Sequence, residues 1–226
     1  MGQMTMLHPH WEALTPETRH ALDLAATLPF IRQFYLAGGT GLALHLGHRF
    51  SVDLDFFSPE VDTVGPDMRA VLREVLDDAT LVITHDKDAT FAATWRGVGI
   101  SFFRLSLYPL VQRPVFLDAV PVATMEEIGA MKLAAIIGRG TRKDLVDLYC
   151  ILQQVSLERL FEVAAQKYRQ VRAFAVSATR ALAYFDDAEV LPMPRMIDHT
   201  SWTEMKQFLE QQAMAAGRLR LEALWT

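Results

Sequence analysis

An apolar run from Phe34 to Ala37 breaks at Gly38-Gly39-Thr40, and two acidic residues, Asp53 and Asp55, follow on an alternating segment one helix later. The run is short and stops at two glycines, so it reads as a buried strand entering a tight turn. Leu42, Ala43 and Leu46 then share a helical face, and Gly47 stands where a helix C-terminus favours glycine. Between Ser51 and Phe57 the polarity alternates: Val52, Leu54 and Phe56 point one way, Ser51, Asp53 and Asp55 the other. A strand, a glycine turn, a helix and a second strand make a layered α/β unit, with both carboxylates on one face of its sheet.

The flanking segments extend that unit. Thr15-Pro16-Glu17 reads as an N-cap with proline at the first helical position, opening a helix to about Leu28. A second helix starts at Pro66, with Met68, Val71, Leu72, Val75 and Leu76 at the three-and-four spacing of a face that covers a sheet. Leu81–Thr84, Thr90–Trp95 and Val98–Tyr108 are separated by His85-Asp86-Lys87-Asp88 and by Arg96-Gly97, which predicts an antiparallel meander. One last strand is expected over Phe116–Val120. After Pro121 the pattern is helical, with Thr141 capping a helix that carries Leu145, Leu148, Leu152 and Val155 on one face. The expected division is therefore residues 1–120 as an α/β domain and 121–226 as a helical domain.

Composition bounds the function classes. With 226 residues, 51% of them hydrophobic, the chain has material for a sizeable core, and it reads as a soluble globular protein. The longest stretch without a charged side chain, between Arg32 and Arg49, contains polar residues and glycines and falls short of a membrane span. Met1 to Leu14 lacks the pattern of a signal peptide, and Cys150 is the single cysteine, so a cytoplasmic location is expected. A net charge of −5 argues against indiscriminate attraction to nucleic acid. Basic residues nevertheless cluster at Arg139, Arg142 and Lys143 and recur at Lys167, Arg169, Arg172 and Arg180; solvated helix faces account for them as well as a binding patch does.

The chemistry rests on two features that are each ambiguous alone. An Asp-x-Asp pair occurs at many water-exposed strand ends, and a double glycine is often only a turn. Here Leu54, Phe56 and Phe57 surround the aspartates, so their charge requires compensation. A divalent cation shared with a phosphate oxygen supplies it. The glycines allow a phosphate to approach the backbone, the next helix offers unpaired N–H groups at its N-terminus, and Thr40 adds a hydroxyl. Strand parity and the single intervening helix make the two features one site for a metal-complexed nucleoside triphosphate.

Gly38-Gly39-Thr40, Leu42 and His48-Arg49-x-Ser51-x-Asp53-Leu54-Asp55-Phe56-Phe57 together resemble the AbiEii/AbiGii toxin nucleotidyltransferases. Lys132 in Met131-Lys132-Leu133-Ala134-Ala135 resembles that family's lysine motif, and Arg142-Lys143-Asp144-x-x-Asp147 its basic-Asp-x-x-Asp motif. The resemblance implies an α/β (α+β) fold, in which a nucleotidyltransferase-type mixed sheet flanked by helices is followed by a C-terminal helical bundle. It also implies Mg²⁺- or Mn²⁺-dependent transfer of a nucleoside monophosphate from an NTP to an RNA hydroxyl, transfer RNA included, or to a protein hydroxyl. A cognate antitoxin is the implied partner, as in abortive-infection systems, and no membrane is involved.

By the same resemblance Asp53 and Asp55 hold metal, and Gly38, Gly39, Thr40, Arg49 and Ser51 hold the nucleotide. Lys132 contacts phosphate, and Asp144 is catalytic or orienting, with Asp147, Lys143 and Arg142 as accessory residues. The residues themselves leave alternatives. Lys132 also suits a stem packed beside Ile128 and Ala135 with its ammonium in water, Asp144 suits a capping partner of Thr141, and Arg49 suits a phosphate clamp or an aspartate partner. Many nucleotidyltransferases carry a third acid on a later strand; Ser101 stands at that place here, with Asp118 on the next strand as a substitute. A catalytically weak or inactive module that binds nucleotide or a partner is the alternative that this departure supports.

Overall fold

A computed structural model describes residues 5–60, 64–76 and 79–222. The chain divides into two compact units, Met1–Thr124 and Met125–Thr226. The first unit opens with α1 (Pro16–Ala25), where the Thr15 side chain accepts from the Thr18 amide and Pro16 occupies a position that needs no donor. There follow β1 (Tyr35–Leu36), α2 (Gly38–Leu46), β2 (Leu54–Ser58), α3 (Pro66–Val75), β3 (Val82–Lys87), β4 (Thr90–Trp95), β5 (Val98–Arg104), β6 (Val115–Leu117) and β7 (Val120–Val122). The seven strands form one mixed sheet in the order β3-β4-β5-β2-β1-β7-β6.

In this sheet β2 runs antiparallel to β1 and parallel to β5, so the centre is built from strands that are distant in sequence. One face is the core. Leu54 and Phe56 of β2, Ile100 and Phe102 of β5 and Phe91, Ala93 and Trp95 of β4 pack with Ala21, Leu22 and Ala25 of α1 and Met68 and Leu72 of α3. Phe102 stacks on Phe56 at 4.8 Å and meets Phe34 edge-on at 5.1 Å. Truncating a ring this deeply buried costs about 3–5 kcal/mol.

Four expected strands differ from those observed, and the one expected over Val98–Tyr108 ends at Arg104. The strand expected over Ser51–Phe57 begins only at Leu54, and Val52 is 45% exposed rather than inward. Ser51 instead bridges Leu14, its amide donating to the Ala13 carbonyl at 3.1 Å, so the chain is held by the N-terminal segment before it joins β5. His85-Asp86-Lys87 are not a loop. A register shift between Ile83 and His85 lets β3 resume pairing with β4, and only Asp88-Ala89 turn, with Asp88 at φ +53°. The strand expected over Phe116–Val120 is a hairpin of β6 and β7, reversed at Asp118, which adopts φ +51°. Aspartate is among the few side chains that tolerate this conformation.

The second unit is helical: α4 (Met125–Gly138), α5 (Arg142–Leu152), α6 (Leu157–Lys167), α7 (Phe174–Leu182), α8 (Asp186–Glu189) and α9 (Trp202–Glu222). α4 packs against α5, α6 and α7, and α9 lies on α5, α6 and α7. Ile128, Leu133, Leu145, Leu148, Leu160 and Val163 are fully buried, as their three-and-four spacing requires. Among the described residues no helix is long and apolar enough to cross a membrane.

Candidate functional site

In the first unit the chain leaves β1 through Ala37, whose amide donates to the Asp55 carbonyl at 3.0 Å and so fixes the turn against β2. Gly38 follows at φ +63°, and a Cβ there would stand 2.6 Å from the Asp55 Oδ2. Only glycine satisfies both conditions. The Asp55 carboxylate therefore lies against the first residue of α2, where helix amides lack intrahelical acceptors and the dipole end is positive.

Around the same turn, the Arg49 guanidinium and the Ser51 hydroxyl border Gly39. Thr40, Arg49 and Ser51 are buried. The Thr40 hydroxyl hydrogen-bonds the Ser51 hydroxyl at 2.8 Å and donates to the Asp53 carbonyl, which ties α2 to the approach to β2. Arg49 Nη1 donates to the Phe50 carbonyl at 3.1 Å. Asp53 is exposed just ahead of β2, with its Oδ1 over Gly99 of β5. Asp55 is half-buried and faces Ser101 across the parallel β2–β5 register. Gly38, Gly39, Thr40, Arg49, Ser51, Asp53 and Asp55 thus converge at one end of the central strands.

No third acid stands beside them on β5. Asp118, the expected substitute, is not on a strand beside the pair. It lies exposed in the β6–β7 turn, and β1 separates that hairpin from β2. Among the described residues no group of three or more His, Cys, Asp or Glu side chains forms a metal cage. Two carboxylates with hard oxygen donors suit Mg²⁺ or Mn²⁺, since such ions take one or two protein carboxylates and complete their shell with water and substrate phosphates.

The other predicted residues meet inside the second unit. Lys132 of α4 is 6% exposed, and its Nζ donates to Asp144 Oδ1 at 2.8 Å and lies 2.6 Å from Asp147 Oδ2. Both aspartates are fully buried on α5, one turn apart. Asp144 Oδ2 also accepts from the Thr141 hydroxyl at 2.5 Å and from Arg139 Nε at 3.1 Å. The Lys132 ammonium therefore does not reach water beside Ile128 and Ala135, because two carboxylates hold it inside. Thr141 makes no side-chain cap bond to the backbone and spends its hydroxyl on Asp144. Burial alone would lower the Lys132 pKa; the charges of Asp147 and Asp144 outweigh it and raise that pKa. Burial likewise pushes the Asp144 carboxyl up, but the Lys132 ammonium and the Thr141 hydroxyl hold it below the usual aspartate range.

Arg142 goes elsewhere within this unit. Its Nε donates to the Ala188 carbonyl at 2.9 Å, its Nη2 donates to the Glu189 carbonyl and carboxylate, and its guanidinium lies 4.9 Å from the Trp202 ring centroid. Lys143 is exposed. Two features escaped sequence reasoning. Arg139 bonds Asp144 from an exposed position, and Lys167 pairs with Glu127 at 2.7 Å with both side chains fully buried. A lysine at the buried phase of α6 was the available signal for the second.

The family described as "Nucleotidyl transferase AbiEii toxin, Type IV TA system" matches residues 21–224. A protein of Aquifex aeolicus (strain VF5), itself described as uncharacterized, is 30% identical over 204 residues, covering 88% of this chain and 95% of that relative. MenT4, a nucleotidyltransferase toxin from Mycobacterium tuberculosis H37Rv, is similar in structure with a TM-score of 0.58 at 18% identity, over 86% of this chain and 79% of its own. The antibiotic-resistance factor ANT(2'')-Ia is similar with a TM-score of 0.50 at 15% identity, over 72% of this chain and 94% of its own. At these identities the two structures speak for the fold, and the family match speaks for the lineage. The chain belongs to the AbiEii nucleotidyltransferase toxin family.

Proposed function

We propose that the protein binds a Mg²⁺- or Mn²⁺-complexed nucleoside triphosphate and moves its nucleoside monophosphate to a hydroxyl of an RNA, transfer RNA included, or of a protein. The observation that carries the reading is the Asp55 carboxylate lying against Gly38 at the N-terminus of α2, with Asp53 close by over Gly99. Asp53 and Asp55 would hold the metal, which supplies neutralisation of the phosphate charge and of the departing pyrophosphate. The amides of Gly38, Gly39 and Thr40 would receive the triphosphate, with Arg49 adding positive charge from beneath Gly39 and Ser51 holding Thr40 in place. In this reading the nucleotidyltransferase-fold domain, expected over residues 1–120, extends through β7 to Thr124, and the helical domain, expected from 121, begins at Met125.

Within the helical domain, we assign Asp144 an orienting role, not that of a general base. A carboxyl held below its usual range by Lys132 and Thr141 is a weak proton acceptor at neutral pH. Asp144 and Asp147 keep Lys132 charged and fixed in direction, and the family lysine motif supports a phosphate contact for it. Lys143, exposed on the same helix, is an accessory charge, and Arg142 secures the helix through α8. A cognate antitoxin remains the partner that the family supports.

Ser101 opposite Asp55 favours a second reading, a module that binds the metal–nucleotide complex and transfers slowly or not at all. Calorimetry with Mg-NTPs and incubation with radiolabelled NTPs and cellular RNA or protein separate the two. Label incorporation that disappears in Asp53→Ala and Asp55→Ala supports the enzyme. Binding without incorporation across all four nucleotides supports the module, and absence of Mg-NTP binding removes both.

A further inference from the structure

Two rows of aromatic rings cross the sheet of the first unit, one on each face. On the core face Phe34, Phe56, Phe91 and Phe102 are fully buried, which packing alone explains. On the other face Phe57 stacks on Phe103, with ring centroids 5.1 Å apart and planes inclined by 21°, and Tyr35 adjoins Phe57 at 5.9 Å. Phe57 and Phe103 remain partly exposed.

The strand register relates this pair to the acids. Asp55 is opposite Ser101, and two residues on Phe57 is opposite Phe103. Because Tyr35 pairs with Phe57 and Leu36 with Phe56 in the antiparallel β1–β2 ladder, the turn at Gly38 lies on the Asp53 side of Asp55, away from Phe57. Along β2 the order is therefore helix N-terminus and Asp53, then Asp55, then the aromatic pair. Two residues along a strand span about 7 Å, comparable to the reach of one ribose from its 5′-phosphate to its base.

We infer that the Phe57–Phe103 stack is the platform for the base of the bound nucleotide, an assignment that rests on the metal–triphosphate reading of the Asp53–Asp55 site. With the β- and γ-phosphates at the start of α2 and the α-phosphate at the carboxylates, the nucleoside extends along the same sheet face onto the rings. Every base presents a π-face, so the platform favours a nucleotide over bare polyphosphate and discriminates little between bases.

Calorimetry on the full chain tests this with each Mg-NTP and with Mg-tripolyphosphate. Phe57→Leu and Phe103→Leu keep apolar bulk and remove a ring. Each is expected to weaken every Mg-NTP about ten-fold and to leave Mg-tripolyphosphate unchanged, while Phe103→Tyr retains nucleotide affinity. Tripolyphosphate binding is the internal control for folding of each variant. Unchanged nucleotide affinity in both leucine variants, equal losses for both ligands, or wild-type protein that binds tripolyphosphate as tightly as NTPs overturns the platform and leaves the phosphate site standing. Wild-type protein that binds neither ligand overturns the underlying site, and the platform with it.

Discussion

Replacing Lys132 with methionine keeps the aliphatic stem and removes the ammonium from between Asp144 and Asp147. At separations of 2.6–2.8 Å, each pair is worth about 6 kcal/mol at an effective dielectric of 20 before desolvation is subtracted. The variant leaves two fully buried carboxylates, and Arg139 reaches only Asp144 from a side chain that is 62% exposed. Breaking a buried pair by removing one partner costs about 3–5 kcal/mol. That is a large share of the 5–15 kcal/mol typical of a folded chain, and about 6–20 °C in Tm for a protein of this size. Urea unfolding followed by circular dichroism at neutral pH measures it, at low salt and again in 1 M salt. Because the pair is buried, the loss should persist in high salt. A loss below about 1 kcal/mol, or one abolished by salt, would refute the picture of Lys132 as an interior counter-charge. A smaller penalty when Asp144→Asn is combined with Lys132→Met than the two single losses sum to would measure their coupling directly.

Three further outcomes follow from particular contacts. Gly38→Ala meets both a positive φ and the Asp55 carboxylate, so it should cost about 1–2 kcal/mol in denaturant and weaken Mg-NTP binding; unaltered affinity would show that Asp55 and the turn are independent. Ser101→Asp sets a third carboxylate beside Asp55 and should tighten Mn²⁺ binding measured by calorimetry; an unchanged affinity would mean that this face of the sheet does not meet the metal. The Asp144 pKa is lower folded than unfolded, so its stabilisation is complete above the ordinary aspartate value of about 3.9 and is lost as pH falls through the lowered folded value. The stability gap between wild type and Asp144→Asn should therefore be constant from neutral pH down to about 3.9 and narrow between there and the lowered folded value, and a gap that closes near neutrality would contradict the direction of the shift.

The mixed α/β fold was legible because local signals and tertiary placement agree. Thr15-Pro16 opens α1, the core face of α3 has a strict period, and Gly47 ends α2 at φ +64°. Errors arose where a distant segment decided the outcome. Nothing local indicates that Leu14 would hold Ser51 and delay β2 until Leu54. Phe116 to Val120 reads as one strand, and the left-handed conformation of Asp118, held by the pairing of β6 with β7, breaks it into a hairpin. Which acids share a sheet face follows from a period of two, so the company of Asp55 and Gly38 was readable. The surroundings of Lys132 were not, because its partners lie on another helix and their distances depend on how α4 and α5 pack.

The two units handle charge in opposite ways, and this bears on what each contributes. In the helical unit Lys132 lies between Asp144 and Asp147, and Lys167 pairs with Glu127, with every one of these side chains buried. Such interior pairs are costly to assemble and seldom more stable than apolar packing, so their value lies in fixing geometry. In the first unit Asp53 is exposed and Asp55 half-buried on one side of the sheet, next to a helix N-terminus. Two like charges placed there raise the free energy of the empty site and lower that of a site holding a divalent cation. Each unit therefore has its own electrostatic character: the helical unit neutralises its charges internally and fixes their directions, while the first unit leaves two carboxylates at the end of its central strands for a divalent cation to neutralise, as the proposed metal–triphosphate site requires.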